Sequence, residues 1–217
     1  MIFYTADLHF HYAPLLSSRP FAAVEEMDEA LIRNWNERVS PEDTVYLVGD
    51  IGYNEGRVPH ELLSRLKGRK HLIRGNHDTG YEDAASLYRY FETITDFNEI
   101  DDGETHILLC HYPIIYRKRG YMIHGHIHQG RGQEYELLKQ LPRVLNAGAD
   151  PAAAPDAPGR QGLASGGAGF PPDPGAAKRT MRGGRAVEQE KRDSVKSLGK
   201  ALRLIDIINQ ARTPMTL

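Results

Sequence analysis

Along residues 1–150 the hydrophobic and polar positions keep switching between two periods. Short runs rich in Ile, Val, Leu and Tyr predict strands at Ile2–Ala6, Thr44–Val48, His71–Arg74, His106–Cys110, Gly120–Ile123 and Arg143–Asn146. Between them the period lengthens. From Val24 to Val39, the side chains of Met27, Ala30, Leu31, Trp35 and Val39 fall on one helical face, and Ser40-Pro41 ends the helix. Weaker helical patterns cover Glu61–Lys67, Glu82–Tyr90 and Glu134–Leu141. Short strands alternating with helices predict a layered α/β domain over residues 1–150.

At residue 151 the pattern stops. From Pro151 to Gly175, 18 of 25 residues are Pro, Gly or Ala, a composition that cannot bury enough surface to offset chain entropy. A disordered Pro/Gly/Ala/Arg-rich linker is therefore expected over 151–188. Over 189–217, Val195, Leu198, Leu202, Ile205 and Ile208 recur at helical steps, giving an isolated amphipathic helix with no core of its own and no expected function.

Charge sharpens the seam. Residues 1–150 hold 16 basic and 23 acidic side chains; the remainder holds 11 and 6, so a net charge of −2 conceals two unlike segments. All 10 His, all 11 Tyr and Trp35 lie before the seam. One Cys excludes a disulfide framework or a Cys-rich zinc module and fits a reducing, cytoplasmic setting. No run approaches the roughly 18 apolar residues of a membrane span. The opening Ile2-Phe3-Tyr4 lacks a charged and then apolar leader, so neither secretion nor a membrane partner is expected.

Five of the strands run directly into polar clusters: Asp7-Leu8-His9, Gly49-Asp50, Gly75-Asn76-His77-Asp78, His111 and Gly125-His126-Ile127-His128. Ligands of α/β sheets collect beyond the carboxyl ends of strands, so the five clusters predict one site. Glycines 49, 75 and 125 are expected to turn the chain sharply out of each strand. A lone His or Gly-Asp in such a place is ordinarily a turn or a satisfied core residue; five in order are not. His11, His60, His71, His106 and His124 lack such placement and are read as structural. Asp7, Asp50, Asn76, His9, His111, His126 and His128 form a mixed nitrogen and oxygen set that suits manganese, iron, zinc or cobalt. Seven donors exceed one tetrahedral zinc. With one carboxylate bridging, they suffice for two metals about 3.5–4 Å apart.

This ordered motif set resembles the calcineurin-like metallophosphoesterases, and residues 1 to 150, including Arg19-Pro20-Phe21, look like their short bacterial and phage members. The resemblance implies a four-layer α/β/β/α sandwich of two facing mixed sheets with a dinuclear centre at one end. It implies that Asp7, His9 and His128 hold one metal, that Asn76, His111 and His126 hold the other, and that Asp50 bridges. His77 would act as acid at the leaving group, with Asp78 orienting its ring. Two divalent ions, manganese first with iron, zinc, nickel, cobalt or magnesium as alternatives, would lower the pKa of a bridging water and clamp the attacked phosphate. His11-Tyr12 stands where the short relatives lead one to expect Gly-His.

The spacing of the clusters bears on substrate class. Only about 25 residues separate Asp50 from Gly75 and about 32 separate Asp78 from His111, which leaves no room for a large cap and predicts an open site. The phosphorylated partner is then a small phosphomonoester, a phosphodiester, a nucleotide or a phosphoprotein. Arg117-Lys118-Arg119 could attract a polyanion, but such a run is more often a solvated loop. A non-catalytic scaffold on the same fold is the alternative, against which the complete donor set argues. Residues 194–217 resemble the first helix of an IclR-type winged-helix regulator cut short of any recognition helix, so DNA binding by the tail is not expected. The tail reads as the product of a frame change or read-through, with a natural disordered extension as the alternative.

Overall fold

The computed structural model describes residues 1–52, 56–117, 119–128 and 132–150. The linker expected over 151–188, the helix expected over 189–217 with its IclR-type likeness, and Lys118 lie outside the described residues.

Two four-stranded sheets carry the fold. The first joins β1 (Ile2–Thr5), β2 (Thr44–Leu47), β3 (Arg69–Ile73) and β4 (Thr93–Thr95) in that order, with every pair parallel. The second joins β5 (Phe97–Asp102), β6 (Thr105–Cys110), β7 (Tyr121–His124) and β8 (Val144–Asn146); β5 and β6 are antiparallel and the other pairs parallel. Both sheets were expected to be mixed; only the second contains an antiparallel pair. All six predicted strands form, with ends shifted by up to two residues. β4 and β5 carried no readable pattern. β4 has three residues, and β5 buries none of Phe97, Asn98, Glu99, Ile100, Asp101 or Asp102, so its polar side chains face water and mask the alternation.

Strand parity divides the core. Phe3, Val45, Leu47 and Leu72 lie on one face of the first sheet in a cluster with Met27, Leu31, Trp35, Leu62 and Leu63. The last five belong to α1 (Val24–Asn36) and α2 (His60–Ser64), which cover that face. Tyr4, Val48 and Ile73, of opposite parity, cluster with Ile107, Leu109 and Ile123 and fill the space between the sheets. Leu108 and Met122, paired in register, are buried on the second sheet's other side, and Leu138 of α3 (Gln133–Gln140) is buried as well. The pattern over Glu82–Tyr90 forms a 3₁₀ helix, Ala84–Arg89, instead of an α-helix. His60 bonds both of its flanks, Asp83 at 2.7 Å and the Tyr90 hydroxyl at 2.9 Å. No helix among the described residues is long and apolar enough to cross a membrane.

A parallel bridge between Ala6 and Gly148 joins the sheets, with the Ala6 N–H donating to the Ala147 carbonyl at 2.8 Å and the Ala149 N–H to the Ala6 carbonyl at 2.9 Å. The carboxyl ends of β1, β2, β3, β6, β7 and β8 thereby open along one edge. Every predicted polar cluster lies on that edge.

Candidate metal centre

The chain leaves these strands in a left-handed conformation. Asp7, His9, Asp50, His126 and His128 have φ of 56°, 51°, 57°, 70° and 46°, in the region where Asp and His are tolerated better than most side chains. Such strain persists only where the surroundings over-determine it, and it gathers at functional sites. Gly49 shares the twist at φ 90°. Gly75 and Gly125 do not: they were expected to provide turns, but Gly75 is extended at φ −97° and neither has positive φ. Their role is close approach. A Cβ on Gly75 would sit 2.1 Å from Asp50 Oδ1, and one on Gly125 would sit 2.8 Å from Asp7 Oδ2.

Two groups of donor atoms result. In the first, ligand atoms of Asp7, His9 and His128 lie within 4.8 Å of one another, and the Nε2 atoms of His9 and His128 are 3.2 Å apart. In the second, Asn76 Oδ1 is 3.0 Å from His111 Nε2 and 2.9 Å from His126 Nδ1. Asp50 stands between them, its Oδ2 3.5 Å from His9 Nε2 and 3.4 Å from His111 Nε2. Hydrogen bonds aim several of these atoms. His111 donates from Nδ1 to the Val48 carbonyl at 2.9 Å, which frees Nε2 as an acceptor; the His126 N–H reaches both Asp7 oxygens at 3.1 Å; the His77 N–H reaches Asp50 Oδ1 at 3.0 Å.

Burial makes the site electrostatically uncomfortable without a cation. It pushes the Asp7 carboxyl up to about 6 despite His128 and His111, and pushes the His9 ring down to about 3 despite Asp50. At Asp50 the burial effect is outweighed by His111, and the carboxyl is held below its ordinary value. His111 is raised in turn, because Asp50 outweighs its own burial. Two buried carboxylates, an amide oxygen and four imidazoles with nitrogens aimed at each other suit divalent cations, so the residues present fit the metals that the motif set implies.

His77 and Asp78 part company. The His77 ring lies edge-on to His9 at 5.0 Å between centroids and 5.6 Å from the Tyr12 ring, and its ligand atom also falls within a group with His9 and Asp50. Asp78 was expected to orient that ring. Instead its buried carboxylate accepts backbone N–H groups of Asp50 and Gly75 at 2.8 Å and of Ile51 at 2.9 Å. The 3₁₀ turn Asn76–Thr79 places consecutive side chains on different sides, which sends His77 to the opening and Asp78 beneath it.

The structure adds residues that the motifs did not single out for a role. Tyr12 stacks on His9 at 5.4 Å, and Tyr112, 48% exposed, packs on His126 at 4.6 Å. Arg19 and Asp150 form a buried pair, 2.8 Å from Nε to Oδ1, and Asp150 also bonds His128. Asp150 follows a sixth strand at the same edge, so the strand-end rule that found the other clusters could have found it. In the basic run, the Arg117 guanidinium donates to the carbonyls of Gly120 and Pro142. The five histidines read as structural have ordinary partners. His11 contacts Asp28, His60 Asp83, His71 Thr93, His106 Asp101, and His124 the Gly125 carbonyl.

Comparison with known proteins adds a lineage. A family model described as calcineurin-like phosphoesterase matches residues 1–156. An uncharacterised protein of Methanocaldococcus jannaschii is 33% identical over 67% of this chain and 79% of its own length. The gene 66 protein of Mycobacterium phage D29 is 31% identical over 69% of this chain and 87% of its own. Among solved structures, a protein of unknown function from Aquifex aeolicus superposes with a TM-score of 0.54 at 27% identity, covering 69% of this chain and 90% of that one.

Proposed function

The chain belongs to the calcineurin-like phosphoesterase family, and from that premise we propose that it is a metal-dependent hydrolase of phosphomonoesters or phosphodiesters with a dinuclear centre. The observation that carries the reading is the Asp50 carboxylate, whose Oδ2 lies 3.5 Å from His9 Nε2 and 3.4 Å from His111 Nε2, between the two donor groups. On this reading Asp7, His9 and His128 hold one cation, Asn76, His111 and His126 hold the second, and Asp50 is shared. Manganese is the first choice for both positions, and residues 1–150 are the working unit, in the cytoplasm.

When bound, the two cations supply an acidified water as nucleophile and a sink for charge on the phosphoryl oxygens. The protein's own part is positioning and proton transfer. Val48 fixes the His111 tautomer, the His126 backbone N–H holds the Asp7 carboxylate, and the His77 backbone N–H holds Asp50. The His77 ring stands beside His9 on the Tyr12 side, where its proton can pass to the departing alkoxide. The short segments around the site favour small phosphoesters, nucleotides or an exposed phosphorylated residue of a protein.

The test is metal loading followed by turnover. Chelator-stripped protein is supplied with Mn, Ni, Zn or Mg and assayed on p-nitrophenyl phosphate and its bis-ester. Hydrolysis that appears with metal and disappears with chelator is expected. Stoichiometric metal without turnover on either ester would replace the reading with a scaffold.

A further inference from the structure

We propose that Arg19 and Asp150 are positioning residues that set the geometry, and hence the cation affinity, of the donor group Asp7, His9 and His128. The inference rests on the reading of that group as a metal site.

Three chain segments meet at this pair. Arg19 follows the 3₁₀ turn Ala13–Ser17, Asp150 lies four residues past the end of β8, and His128 lies four past the end of β7. Arg19 donates from Nε to Asp150 Oδ1 at 2.8 Å, and from its two terminal nitrogens to the Leu8 carbonyl at 2.8 Å and the Asp7 carbonyl at 2.6 Å. The left-handed backbone at Asp7 and His9 turns these carbonyls out of the sheet ladder, so Arg19 gives them partners. One guanidinium therefore fixes the loop that bears Asp7 and His9.

Asp150 completes the bracket from the other side. Its second oxygen accepts the Nδ1 proton of His128, which leaves Nε2 with its lone pair aimed at His9 Nε2, 3.2 Å away. The Asn146 side-chain amide donates to the His128 carbonyl at 3.0 Å and accepts the Gly148 N–H at 2.9 Å, so the end of β8 holds both the backbone and the ring of His128. The Arg19 and Asp150 side chains are 1% and 8% exposed. An ion pair at that depth gains little as a surface contact, and its neighbours are a metal-ligand ring and two ligand-loop carbonyls. Lysine could not replace this arginine, because only the guanidinium fork reaches three acceptors in one plane.

The experiment uses the full chain, stripped of metal and titrated with Mn2+ by calorimetry and with Co2+ by visible absorption. The variants are Asp150→Asn, Asp150→Glu and Arg19→Lys, with circular dichroism on each. Two equivalents bind to the wild type. In Asp150→Asn and Arg19→Lys one equivalent weakens by about 10–100-fold while the other is unchanged, and the Co2+ band of the weakened site shifts. Asp150→Glu recovers part of the loss. Unchanged affinities and Co2+ spectra in both variants, with the wild type still binding two equivalents, would overturn the inference alone. Equal weakening of both equivalents would also overturn it, since that is what general loosening produces. A wild type that binds no metal would remove the metal-site reading, and this inference with it. If Asp150→Asn does not fold, Arg19→Lys carries the same comparison.

Discussion

Asp78 holds Asp50 by its backbone. The Asp50 N–H donates to Asp78 Oδ2 at 2.8 Å, and the same carboxylate takes the N–H groups of Gly75 and Ile51. Asp50 sits at φ 57°, so these bonds keep a strained residue in place at the meeting point of the two donor groups. Replacing one oxygen by an amide nitrogen turns an acceptor toward donors. Asp78→Asn is expected to lower stability by about 2–3 kcal/mol and to weaken cation binding, even though Asp78 is not among the proposed ligands. Urea melts and Mn2+ titration check this; unchanged values in both would show that the Asp50 loop holds itself.

The donor set was legible because its members follow strand ends, and a strand run into a polar cluster is visible in one dimension. Asp7, Asp50, Asn76, His111, His126 and His128 all have that signature. What sequence could not show was direction. Asp78 sits beside His77 in the chain, but a 3₁₀ turn separates their side chains, so adjacency suggested a contact that the backbone does not make. Arg19 was legible only as part of the Arg19-Pro20-Phe21 likeness and without a role, because its partners are carbonyls freed by left-handed residues and a carboxylate 131 positions away. β5 escaped for a related reason: its exposed positions are Phe97, Glu99 and Asp101 and its half-buried ones Asn98, Ile100 and Asp102, so apolar and polar side chains occur on both faces and no alternation shows.

His77 lies at the edge of the donor cluster with its ring against His9 and Tyr12. Under the proposed role as acid at the leaving group, it would matter most when that group is poor. His77→Gln is expected to lower kcat by about 10²–10⁴-fold on alkyl phosphoesters, and much less on p-nitrophenyl esters, with metal content unchanged. Comparing the two substrate classes on metal-saturated protein checks this. An equal loss on both would assign His77 to metal binding, in keeping with its proximity to Asp50.

Asp28 gives the fold a pH dependence away from the donor atoms. It is buried on α1, accepts the His11 N–H at 3.2 Å and lies 3.1 Å from His11 Nδ1; burial, outweighing these contacts, pushes its carboxyl up to about 6. An acid whose pKa is raised in the folded state binds its proton more tightly there than in the unfolded chain. Its stabilising share is present below about pH 4 and is lost as pH rises through 6. Wild-type stability should fall between pH 4 and 8 by about 3 kcal/mol more than that of Asp28→Asn. Chemical denaturation of both proteins at each pH gives the difference directly, and parallel curves would refute the assignment.

Gly75 offers a separation of fold from site by a single carbon. Its backbone at φ −97° is one that alanine adopts without strain, so Gly75→Ala has no conformational objection. The objection is space: the new Cβ would lie 2.1 Å from Asp50 Oδ1 and 2.7 Å from its backbone nitrogen. The carboxylate must therefore move out of the gap between His9 and His111, and the Asp50 backbone nitrogen, which Asp78 holds, must give by a few tenths of an ångström. Gly49→Ala differs, since it adds a left-handed φ of 90° to a contact of 2.2 Å with His111 Nδ1 and should destabilise the whole domain. Gly75→Ala is therefore expected to keep near wild-type circular dichroism at a cost of about 1–3 kcal/mol in stability, and to lose tight binding of both cations together, because the Asp50 carboxylate proposed to serve both is displaced. Loss of one equivalent alone would mean that Asp50 serves a single cation.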